Sequence, residues 1–255
     1  MRKFDFYEFT AILIPGALLL FGLERILYHL WGPAFGKDYT AVEFGMFTLL
    51  AYGAGHLVQS FGNLLETFVI WRFVTDEGGV RWPRTLDTRT TPPKAIWHKG
   101  ETPLNRFRKN PGVLLIPEQL DLLQQKFTTK LGLPWVRPQG NPPPLNWPDL
   151  YRNLTKEQWT SVHRQIHAEV KKANLAERCD LFASTYAMAR GLAATLITLM
   201  IAQPVIILLS PAVSMNEHFA WAWVAMLLAA WCAIVRMTRY ARYVARETLV
   251  QFLLT

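Results

Sequence analysis

The chain reads as a mainly α-helical membrane protein: four transmembrane helices with a mixed, mostly helical cytoplasmic insert between the second and third. Three observations predict this. Charged residues are nearly absent from four apolar stretches. Those stretches are long enough to cross a bilayer core, which takes about 20 residues of helix and no fewer than about 17. Basic residues crowd the segments that would share one side of the membrane.

The first stretch runs from about Tyr7 to Leu23 and contains Pro15-Gly16. No small-residue cleavage pattern follows it, so it reads as a retained anchor rather than a removed signal peptide. The second runs from about Ala41 to Ile70. The third is GLAATLITLMIAQPVIILL, 191–209, with Pro204 as a kink, and the fourth is FAWAWVAMLLAAWCAIV, 219–235. Trp31, Trp221 and Trp223 fall where an outer aromatic belt would lie. The chain thus divides into helices one and two (1–71), the insert (72–187), helices three and four (188–235) and a basic amphipathic tail (236–255).

Orientation follows from Lys and Arg. The insert holds 18 of them against 11 acidic residues, the tail four against one, and Arg2 and Lys3 open the chain. The loop between spans one and two has Lys37 as its main cation, and SPAVSMNEH between spans three and four has none. Both termini and the insert therefore belong on the cytoplasmic side of the membrane. The only cysteines, Cys179 and Cys232, lie in different kinds of segment and match no metal or redox spacing, which fits a reducing compartment.

Span two carries the candidate site. AYGAGHLVQSFGNLLET, 51–67, contains His56, Gln59, Ser60, Asn63, Glu66 and Thr67. With His56 at zero and about 100° per residue, Gln59 falls at roughly 300°, Ser60 at roughly 40°, Asn63 at roughly 340°, Glu66 at roughly 280° and Thr67 at roughly 20°. Leu57, Val58, Phe61, Leu64, Leu65, Phe68 and Val69 fill the opposite side, and Gly55 and Gly62 lie beside the polar arc, where a neighbouring backbone can approach. An ionisable side chain facing lipid costs at least about 2.5–3.5 kcal/mol, so the arc must face protein or water. Two readings stand: interhelical hydrogen bonding within the bundle, or a pore lining or gating network. One subunit encloses no wide pore, so the second reading requires a homo-oligomer, a tetramer being favoured.

The insert changes character near residue 150. Its first part is broken by DEGG, TPPK, KNPG and PQGNPPP, which predict loops, with GVLLIP and KAIWHK as candidate strands. A short helix follows Pro117 on the face Leu120, Leu123, Phe127 and Leu131. A capping pair, Thr155 and Gln158, opens a helix with Trp159, Val162, Ile166 and Val170 on one side. NLAERCDLFASTYAMARGL then runs into span three without a break. The tail, with Arg236, Arg239, Arg242 and Arg246 in a stripe, is expected on the inner leaflet or against the insert.

A basic and aromatic run includes Arg81, Trp82, Arg84, Lys94, Trp97, Lys99, Arg106, Arg108 and Lys109. Cations for phosphates and aromatics for stacked bases mark nucleic-acid sites, so a nucleotide or oligonucleotide is one ligand for it. Membrane lipid headgroups satisfy the same cations, and a solvated surface needs no ligand at all. No Walker loop, dinucleotide fingerprint or nucleophile elbow occurs. His163 and His167 have metal spacing but lack the intervening Glu of a zinc protease, and read as a surface pair. No catalytic activity, metal or cofactor is expected.

Three pieces together, FDFYEFTAILIPGALLLFGL at 4–23, GHLVQSFGNLLE at 55–66 and RCDLFASTYAMARGL at 178–192, resemble four-span bacterial membrane effectors of anti-phage defence, nearest the Hailong type. The resemblance covers under half of the chain. It implies an oligomeric ion-conducting effector held shut by deoxyadenylate oligomers from a partner nucleotidyltransferase, and opened on infection to depolarise the membrane. It carries over no binding residue. The runner-up is a non-conducting membrane scaffold that recruits a cytosolic partner.

Overall fold

The computed structural model describes residues 6–31, 40–68, 114–131, 156–209 and 217–255. They form helices α1 (Phe6–Trp31), α2 (Ala41–Phe68), α3 (Pro117–Leu131), α4 (Lys156–Lys172), α5 (Glu177–Leu209) and α6 (Glu217–Leu254), with no strand among the described residues. The expected GVLLIP strand is thereby corrected. Leu114 and Leu115 sit in a turn and bend, buried, and Pro117 opens α3 directly after them. Proline suits a first helical turn, where its missing N–H leaves nothing unpaired. KAIWHK lies outside the described residues.

Among the described residues, three helices are long and apolar enough to cross a membrane: α2 over Ala41–Glu66, α5 over Glu177–Val205 and α6 over Ala220–Leu254. The apolar part of α1, Phe9–Glu24, is shorter. α1 itself continues to Trp31, with Glu24 and Arg25 as a charged pair within it.

Helix ends are set locally. Thr40 caps α2: its Oγ1 accepts from the Glu43 N–H at 3.3 Å and Glu43 Oε2 accepts from the Thr40 N–H at 2.8 Å, a reciprocal capping box. At the end of α4, Asn174 adopts a left-handed conformation (φ 57°). The Leu175 N–H then reaches back to the Val170 carbonyl and the Asn174 N–H to the Lys171 carbonyl, both at 3.1 Å. That is a Schellman stop, with Asn taking the glycine position.

The chain folds as two compact units, Met1–Ile70 with Ser184–Met237, and Trp71–Ala183 with Thr238–Thr255. In the first, many of the buried residues are small, Ala11, Ala51, Ala189, Ala193, Ala194 and Thr195, and they pack beside the larger Val58, Tyr186, Leu199, Met200 and Met237. Gly16 of α1 faces α2 so closely that a Cβ there would overlap the Ala51 carbonyl, and one on Gly55 would overlap the Ile12 carbonyl. Small residues let helix backbones touch, which is how helices pack where lipid removes the hydrophobic drive. In the second unit the core is large and apolar: Leu123 and Phe127 of α3, Val162, Ile166 and Val170 of α4, and Leu249 and Phe252 of α6. Of the two sites expected for the tail, its apolar side takes the packed one. Phe252 lies 6.0 Å from Phe127 between ring centroids, and Lys126 donates to the Phe252 carbonyl at 3.3 Å.

Candidate functional site

The site begins with a proline. Pro15 has no N–H, so the carbonyl of Ala11, one turn earlier in α1, loses its helical donor. Gln59 of α2 supplies one: its Nε2 donates to the Ala11 carbonyl at 3.1 Å and to the Ala187 carbonyl of α5 at 2.8 Å. A Cβ at residue 191 would sit 2.7 Å from that Nε2 and 2.8 Å from the Pro15 ring, so glycine is required there. Thr195 of α5 donates to the Pro15 carbonyl at 3.0 Å. One amide and one hydroxyl thus tie three helices through backbone oxygens.

The other end of Gln59 joins an ionic network. Its Oε1 accepts from Arg190 Nη2 at 3.0 Å and Nε at 3.3 Å. Arg190 Nη1 lies 3.5 Å from Glu66 Oε2, and Glu66 Oε1 accepts from the Tyr186 hydroxyl. The guanidinium carbon stands 5.4 Å from the centroid of the Tyr186 ring. Glu66 is fully buried, and the Arg190 side chain is 17% exposed. Gly62 makes the room, since a Cβ there would lie 3.0 Å from Arg190 Cγ. Tyr186 and Arg190 are four residues apart on α5, and Gln59 and Glu66 seven apart on α2, so each pair shares one face.

The polar arc of span two therefore divides. Gln59 and Glu66 turn inward, on the Gly55–Gly62 side of α2. His56, Ser60 and Asn63 are exposed, beside exposed Leu57 and Leu64. The His56 ring meets Tyr52 edge-on at 4.7 Å, and Ser60 Oγ donates to the His56 carbonyl at 3.0 Å. The Thr67 side chain lies outside the described residues, as do Arg81, Trp82, Arg84, Lys94, Trp97, Lys99, Arg106, Arg108 and Lys109. Arg190 and Tyr186 escape the sequence reading because a third span beginning at Gly191 leaves them one and five residues outside it. The available signal was a cation at the start of one apolar helix facing an acid near the end of another.

His163 is buried, which corrects the expected surface pair, and His167 Nε2 lies 3.6 Å from Asp180 Oδ1. Among the described residues no group of three His, Cys, Asp or Glu is placed to hold a metal. Cys179 is buried, Cys232 is exposed, and both are free. Comparison with protein families, characterised proteins and solved structures returned no match.

Proposed function

We propose that this chain is the subunit of an oligomeric, ligand-controlled ion channel of the bacterial inner membrane, with His56, Ser60 and Asn63 lining its conducting path. One observation carries the reading: these three polar residues are exposed on a helix long and apolar enough to cross a membrane. An ionisable group such as His56 facing acyl chains costs at least about 2.5–3.5 kcal/mol. Copies of α2 arranged around an axis turn the same line toward water. Closed symmetry is the usual arrangement of such copies, and a tetramer is the favoured count.

Gln59 and Glu66 leave the lining in this reading. Their partners lie on α1 and α5, so they fasten the pore helix to the bundle. α1 serves as the fourth span, and the Lys and Arg balance puts both termini and the insert in the cytoplasm. The ligand is a nucleotide or oligonucleotide, made by a partner nucleotidyltransferase and held by the basic and aromatic run of the insert. Loss of that ligand opens the pore and depolarises the membrane, as an anti-phage effector requires.

The test is electrical. The full chain reconstituted in planar bilayers should conduct, and short deoxyadenylate oligomers should change its open probability. Asn63→Leu and His56→Leu should alter unit conductance while the oligomer keeps its size. An assembled oligomer that stays silent with and without oligonucleotide supports the non-conducting scaffold instead.

A further inference from the structure

On α6 a residue count and a ring cluster meet. A hydrocarbon layer takes about 20 helical residues. Counted along α6 from Ala220, within its apolar stretch, the layer runs out near Arg239 and Tyr240. Aromatic rings gather at that end: the Phe182 ring lies 6.1 Å from Tyr240 and 5.8 Å from Tyr243, and Tyr240 meets Tyr243 edge-on at 5.8 Å. Aromatic rings with polar tips collect at the boundary between tails and headgroups. The count along α6 and the ring cluster thus mark one boundary.

Arginines stand around that cluster. Arg239 and Arg246 are exposed, and neither has an ion-pair partner among the described residues. They are seven residues apart, which puts them on one face of α6 about 10 Å apart along its axis. Tyr243, 45% exposed, lies between them. Glu247 is turned to Arg178, at 3.9 Å, and to Gln251, whose Nε2 donates to it at 2.7 Å. Among the described residues, no acid therefore neutralises the pair. The apolar side of the same segment is already used: Val244, Ala245, Leu249 and Phe252 are buried. What remains outward is a cationic, aromatic face at headgroup depth.

We propose that Arg239, Tyr243 and Arg246 form a binding site for the phosphate of an anionic phospholipid headgroup. The guanidinium fork matches phosphate oxygens two at a time, and the tyrosine ring sits where glycerol and the first methylenes lie. The proposal needs membrane embedding alone and is independent of conduction.

The full chain in neutral detergent, followed by thermal unfolding, tests it with three probes: short-chain phosphatidylglycerol, short-chain phosphatidylcholine and inorganic phosphate. The midpoint should rise with phosphatidylglycerol only. The double substitution Arg239→Gln, Arg246→Gln should shift that response to about tenfold higher lipid, each arginine contributing near an anionic surface. Arg164→Gln, an exposed arginine of α4, should leave the response unchanged. An equal rise with phosphatidylcholine, an equal rise with inorganic phosphate, or an unaltered phosphatidylglycerol response in the double variant would each overturn the proposal. If the double variant does not fold, Arg246→Gln alone carries the same comparison.

Discussion

The two units of this protein are built on opposite plans. The unit containing Phe127 and Phe252 buries its largest apolar side chains and leaves arginines and lysines outside. The unit containing α2 buries mostly alanine, glycine and threonine, with a glutamate and a few larger side chains such as Leu199 and Met237, and turns Phe44, Leu49, Leu57, Leu208, Trp221 and Leu228 outward. The same amino acids are sorted in reverse because the surroundings differ. Water makes burial of large apolar surface the main source of stability. Lipid removes that source, so close backbone contact and interior polar bonds hold the helices instead.

The sharpest test of this contrast is Arg190→Leu. It would strip the cation from a fully buried Glu66 while leaving the apolar surface of the unit intact. Breaking one side of a buried pair costs about 3–5 kcal/mol, because the remaining charge is uncompensated. Unfolding in mixed micelles should register that loss. The double variant Arg190→Leu, Glu66→Leu should recover much of it, since neither charge then remains. A single variant as stable as the parent would mean that the network does not hold the bundle.

Next in size is Leu123→Ala in the unit with the large apolar core. Leu123 is fully buried, and truncation of such a leucine costs about 2–5 kcal/mol through lost transfer energy and the cavity left behind. Gln59→Leu follows at about 1–3 kcal/mol, the cost of leaving buried acceptors without their donor. The carbonyl freed by Pro15 supplies a control for it. Replacing Pro15 with alanine restores an N–H one turn after Ala11 and should reduce the penalty of Gln59→Leu. Equal penalties in both backgrounds would break the link between the proline and the glutamine.

Much of this was legible in the residues. α2, α5 and α6 announce themselves as long apolar runs, and α3 and α4 by one-sided periodicity after Pro117 and Thr155. The helical angle also grouped Gln59 with Glu66, within roughly 20° of each other. It did not say where the polar arc divides. Gly55 and Gly62 settle that, because the neighbouring helices pack against the edge that lets backbones approach, and the polar groups nearest that edge go inward with it. His56, Ser60 and Asn63 stand farther round and stay outside. Glu66 and Arg190 are 124 residues apart, and periodicity within one helix carries no information about a partner on another. The Thr40–Glu43 capping box was readable in principle as T-x-x-E before an apolar run.

The smallest expected effect completes the comparison, because it uses the same substitution in the other unit. Leu228→Ala removes a side chain that is 58% exposed on α6, within its apolar stretch. In water an exposed leucine contributes little. In micelles or bilayers it contributes little for a different reason: acyl chains replace its contacts with equal ones. Stability should change by no more than about 0.5 kcal/mol, against the several expected at Leu123. A cost near that of Leu123 would show that this side of α6 is packed against protein, and the outward-facing leucines would then mark a subunit contact rather than a lipid surface. Repeating the measurement at Leu208, which is 83% exposed on α5, separates a local contact from a general one.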